Sequence, residues 1–112
     1  MRINKQIQRL GITGMDSDEL EYQLQDIMDE HTPKHGECVE IVAPIKTCKN
    51  HFVVIAFVHS GNRREVRHVK QVSKEDFYFV KELLQCGDYL QALIAVDLPL
   101  CDDNELYIVN LN

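Results

Sequence analysis

The sequence predicts an α+β protein. The expected architecture is an antiparallel β-sheet, a three-stranded meander plus a C-terminal strand, with two N-terminal helices and one or two further helices packed mainly on one face. Three observations lead there. Apolar residues recur at helical spacing before Pro33, the stretch from Cys38 to Val72 is rich in β-branched and aromatic residues broken by polar turns, and a helical period returns after Ser73.

The first helix is predicted over roughly 2–10, where Ile3, Ile7 and Leu10 share a face and Gly11 stops the chain. In the second, Asp16 is the expected cap with Glu19 as its reciprocal partner, and Met15 and Leu20 stand at staple positions. Leu20, Leu24, Ile27 and Met28 form its apolar stripe, and Pro33 and Gly36 end it near His31. "CVEIVAPIK" and "HFVVIAFVHS" read as strands joined by "TCKN". The second is apolar on both faces from Phe52 to Val58, as a central strand is, whereas Pro44 points the first to an edge or a bulge. "RREVRHVKQV" completes the meander. Strict alternation would turn Val66, His68, Lys70 and Val72 one way and Arg67, Val69 and Gln71 the other.

Ser73 caps a third helix with Asp76 at the reciprocal position. Phe77, Val80 and Leu84 mark its inner face, and Gly87 ends it. Residues 89–97 fit two patterns, a short helix capped by Asp88 with Gln91, or a strand in which Leu90, Ala92, Ile94, Val96 and, just beyond, Leu98 alternate. "ELYIVNL" closes the sequence as a strand, after the "CDDN" turn at Cys101–Asn104.

The 112 residues fit one domain, 1–112, large enough to build a core without staples. Lacking any apolar run of about 18 residues or a signal-like start, the chain is expected to work in the cytoplasm without contacting a membrane. The four cysteines, Cys38, Cys48, Cys86 and Cys101, contain no C-x-x-C pair and read as buried thiols. The net charge of −6 is unevenly spread. Residues 1–36 carry 4 basic and 7 acidic side chains (−3), residues 37–74 carry 7 and 3 (+4), and residues 75–112 carry 1 and 8 (−7). Such segregation builds one basic and one acidic face.

The basic segment supplies the leading partner-binding candidates, Arg63, Arg64, Arg67 and Lys70, with Lys46, Lys49 and Lys74 nearby. Guanidinium forks match phosphate and carboxylate oxygens. The competing reading is an edge strand guarded by charge, or cations matched to the chain's own carboxylates. The segment lacks interleaved aromatics, and Phe52 and Phe57 are expected to be buried on the next strand, which counts against nucleic acid. The acidic second helix, with Asp18, Glu19, Asp26 and Glu30, supplies a second candidate surface. Small acidic inhibitors from mobile genetic elements occupy basic grooves with such surfaces, and here the parallel is one of class only.

His31, His35 and Cys38, with Cys48 as a possible fourth, are competent zinc ligands in a spacing that matches no zinc motif. No phosphate loop, dinucleotide fingerprint or nucleophile elbow is present, and nothing selects a Cys–His pair. The sequence therefore predicts a non-enzymatic interaction protein, without catalytic residues, cofactor or metal. It would be a regulator, adaptor or inhibitor that binds another macromolecule, with a protein partner ahead of nucleic acid and homodimerisation through a free strand edge as an option. The alternatives are a nucleic-acid module using the basic strand at 63–70 and a zinc-stabilised fold.

Overall fold

A computed structural model describes residues 3–34, 36, 38–61, 64–98 and 105–108; for 105–108 and Met15 only the backbone is described. The order is α1 (Ile3–Arg9), α2 (Met15–Glu30), β1 (Cys38–Lys46), β2 (Phe52–Ser60), β3 (Arg64–Val72), α3 (Lys74–Gln85), α4 (Tyr89–Ala95) and β4 (Glu105–Ile108). The strands lie in the order β3-β2-β1-β4, with β2 antiparallel to both β1 and β3, and β4 parallel to β1. The class is α+β. Residues 89–95 are helix, started by the Asp88 carboxylate accepting from the Gln91 N–H.

The helices divide between the two faces of the sheet, which corrects the expectation of helices mainly on one face. Ile3 and Ile7 of α1 and Leu20, Leu24, Ile27 and Met28 of α2 pack on Val39, Ile41, Ala43, Ile45, Val53, Ile55 and Phe57. On the opposite face Val80 and Leu84 of α3 and Ala92 and Leu93 of α4 pack on Val42, Val54 and Ala56. The cause lies in β1 and β2, which are buried on both faces along nearly their whole length. Each apolar face needs its own cover, since every large aliphatic side chain taken from water contributes about 1.5–3 kcal/mol.

Two local expectations also change. The α2 cap position is held by Gly14 at φ 66°, with no side-chain cap. Asp16 lies inside the first turn of the helix and Glu19 just beyond it, and both are occupied elsewhere: Asp16 meets His51 Nδ1 at 2.6 Å, and both Glu19 oxygens accept the Cys48 N–H at 3.0 Å. These contacts tie the start of α2 to the β1–β2 turn. In β3, a bulge breaks the predicted alternation: Ala56 pairs with His68 but Phe57 pairs with Val66, leaving Arg67 as the extra residue. Directly paired residues share a face. Val66, Val69 and Gln71 therefore look toward α1 and α2, whereas His68, Lys70 and Val72 look toward α3 and α4.

Pro44 sits in β1 between β2 and β4, yet β4 pairs only with Val39–Val42. At Pro44 one side of the strand thus has no neighbour among the described residues, and a missing N–H is tolerated there.

Candidate functional site

The basic strand does not present one continuous cationic row. β3 is an edge strand, and Arg64 lies on the α1–α2 face opposite His59, whereas Lys70 lies on the α3–α4 face opposite Val54. The bulge sends Arg67 toward the same face as Lys70, where its guanidinium sits 3.4 Å from Glu40. Glu40 is almost fully buried (2% of its side chain exposed) while Arg67 is 38% exposed, so Arg67 neutralises a carboxylate of the fold. Arg63 lies outside the described residues. The edge is guarded in a third way: Gln6 of α1 accepts the Val66 N–H at 2.7 Å and donates to the Arg64 carbonyl at 3.3 Å, in the manner of a neighbouring strand.

Lys70 has other company. Lys46 pairs across the sheet with Phe52, and Phe52 with Val72, so Lys46, Phe52 and Lys70 share the α3–α4 face at one end of the sheet. The α3 helix starts two residues after Val72, its first turn fixed by Ser73 Oγ accepting the Asp76 N–H at 3.1 Å. That start carries Lys74, Tyr78 and Lys81, spaced i, i+4 and i+7 along one flank. The rings close the corner: Phe52 lies 4.9 Å from Phe77 and 6.1 Å from Tyr78, Phe77 meets Tyr78 edge-on, and the Lys81 ammonium stands 5.9 Å above Phe77. Phe77 is buried, Phe52 is half-buried and Tyr78 is 47% exposed. Among the described residues no salt bridge engages Lys46, Lys70, Lys74 or Lys81. Glu75 borders the site on the outer side of α3, and Asp76 falls on the helix's other flank.

Sequence reasoning missed this corner because its parts are far apart in the chain. Phe52 is not a fully buried core ring but a half-open one, so aromatic side chains do stand among the cations, supplied by β2 and α3 instead of β3. The available signal was the Lys-x₃-Tyr-x₂-Lys spacing in α3.

The acidic candidates on α2 fall into two groups. Asp18 accepts from the Asn4 amide, and Glu19 is held by Cys48. Asp26 and Glu30 are exposed and, with Asp18 and Tyr22, form an i, i+4 stripe open to solvent. Along the N-terminal half of α2, Asp18, Glu19, Tyr22, Gln23, Cys48 and Lys49 line a mainly apolar groove of about 380 Å³. The Cys48 thiol there is pushed above its ordinary value by its hydrogen bond to Glu19 and by that carboxylate's charge. That direction is away from a thiolate nucleophile.

Of the expected zinc ligands, His35 lies outside the described residues, Cys38 is a half-buried free thiol in β1 and Cys48 is exposed; Cys48 and Cys86 stand in solvent, which corrects the expectation of buried thiols. Among the described residues no three His, Cys, Asp or Glu side chains group as metal ligands. His59, read only as a strand-end residue, is buried beneath the end of α2 at 4% exposure, and its Nδ1 has no hydrogen-bond partner among the described residues. Burial, then the neighbouring Arg64 charge, lower its pKa, with the Met28 carbonyl and Asp29 acting in the other direction. No helix among the described residues is long and apolar enough to cross a membrane. No protein-family profile, curated protein or solved structure matches the chain.

Proposed function

We propose that the chain is a non-enzymatic interaction protein, a regulator, adaptor or inhibitor, that docks an anionic surface of another macromolecule at the corner formed by Lys46, Lys70, Lys74 and Lys81. One observation carries the reading: amines from two strands and a helix converge at one end of one sheet face, beside half-open rings, with no ion pair among the described residues. A chain of net charge −6 that gathers cations in one place creates a local potential opposite to its overall one, and this steers an anionic partner to that place. The free thiols of Cys38, Cys48 and Cys86 suit work in a reducing cytoplasm. Docking through side chains is favoured over strand addition or a strand-paired homodimer, because the β3 edge carries a bulge, cationic side chains and the Gln6 clasp.

The test is retention on immobilised heparin at low salt. The Lys70→Glu/Lys74→Glu variant should lose retention, and a control variant at Lys5 and Lys34 should keep it. Because Lys74 is exposed and Lys70 half-exposed, the melting temperature should move by no more than about 3 °C. Wild-type protein that fails to bind heparin at low salt sinks the proposal.

A further inference from the structure

We infer that the partner met at this corner is single-stranded nucleic acid, with a base stacked on Tyr78 beside Phe52 and the adjoining phosphates held by Lys46, Lys70 and Lys74. The inference rests on the anion-docking reading above and names its ligand.

The chemistry follows from the two kinds of group present. Ammonium groups alone would serve any polyanion, but a single strand offers unpaired π faces as well as phosphates, and binding sites for it combine cations along the backbone with rings for stacking. Tyr78 is the ring so placed. It is 47% exposed, and its orientation is fixed by the edge-on contact with buried Phe77 and by Phe52 at 6.1 Å. A ring already immobilised loses little further freedom when a base lies on it. Lys74 and Lys81 flank Tyr78 on α3, while Lys46 and Lys70 approach from the sheet. Lys81 is partly engaged over Phe77 and serves to hold the ring cluster. An acidic polypeptide would satisfy the lysines and leave the aromatic surface unused.

The extent of the site argues for a short single strand and against a duplex. The cations span one corner of a molecule whose α2 stripe and α3 outer face are acidic, with Asp26, Glu30, Glu75 and Glu82 all exposed. A duplex presents a long, closely spaced row of phosphates that these carboxylates would repel, whereas a few nucleotides fit within the cationic corner.

The experiment measures fluorescence anisotropy of a labelled 12-nucleotide oligodeoxythymidine with the full chain, with poly-glutamate as the acidic-polypeptide probe. Wild-type protein should bind the oligonucleotide with a log–log salt slope of about −2, corresponding to roughly three phosphates neutralised. Tyr78→Ala should weaken binding about tenfold or more, and Tyr78→Phe, which keeps the ring, should bind like wild type. Lys70→Ala/Lys74→Ala should make the slope shallower by about one unit or slightly more. Thermal melting of each variant separates lost binding from lost fold. Oligonucleotide binding that Tyr78→Ala leaves unchanged, or poly-glutamate bound as tightly and equally indifferent to Tyr78, overturns the nucleic-acid assignment while leaving the anion-docking surface standing. Failure of oligonucleotide, poly-glutamate and heparin alike overturns both.

Discussion

His59 is a polar side chain whose neutral form the packing favours. At 4% exposure and with Nδ1 unpartnered among the described residues, the ring lies against the last turn of α2 and opposite Arg64. A proton would add charge where solvent is excluded and a guanidinium already stands, and these two effects outweigh the pull of the Met28 carbonyl and Asp29. The folded-state pKa therefore lies below the ordinary 6.5. In the pH interval between the two values the unfolded chain binds the proton and the folded chain does not, so stability falls as pH falls. The contribution is complete above 6.5, declines from there through the folded pKa, and changes no further below it. Urea unfolding across that interval should show this slope, and His59→Gln, which keeps a polar group but cannot titrate, should flatten it. An unchanged slope in the variant would assign the effect to other groups.

The β3 strand shows why an element legible in sequence can still hide which way its side chains point. Its β-branched and polar pattern located it well, from Arg64 to Val72. Its alternation did not survive, because one extra residue against β2 at Arg67 shifts everything after it by half a period. A bulge is a property of two strands in register, and nothing in the ten residues of "RREVRHVKQV" marks it. The same holds for the α2 cap: Asp16 and Glu19 have the right spacing for a capping box, but His51 and Cys48, distant in the chain, take those carboxylates. Ser73 caps as expected, and Asp88 caps as the helical one of the two patterns open for residues 89–97 requires. The bulge has an energetic role, since it sends Arg67 to buried Glu40. Truncating Arg67 leaves that carboxylate without its cation, at a cost of about 2 kcal/mol or more. Arg67→Ala should lower unfolding stability by that amount, and adding Glu40→Gln should recover at least half of it. If Arg67→Ala is neutral, the pair contributes nothing to the fold, and Arg67 returns to the list of cations open to a partner.

At the scale of the molecule, β2 decides the architecture. Its apolar run from Phe52 to Val58 announced cover on both faces, and the structure supplies it with a pair of helices on each side. What the sequence withheld was the allotment, because helix α3 is no more amphipathic toward one face of the sheet than the other until the chain path after β3 is known. The cationic corner was withheld for the same reason, being assembled from residues 46, 52, 70, 74, 78 and 81 only when β3 hands over to α3. Two apolar clusters separated by a sheet need not behave as one core. Ile27 is fully buried under α2 and Leu84 is 4% exposed under α3, and no core residue is shared between the clusters they belong to. Ile27→Val should cost about 0.5–1.5 kcal/mol and Leu84→Ala about 2–5 kcal/mol. Because the sheet keeps the two sites apart, the double variant should lose the sum of the two within about 0.5 kcal/mol. Urea unfolding of the four chains measures this directly, with an unchanged m-value as the check that all of them unfold in a single step. A coupling well beyond that margin would mean that β2 transmits strain from one face to the other, and a partner bound at the α3 corner would then be felt beneath α2 as well.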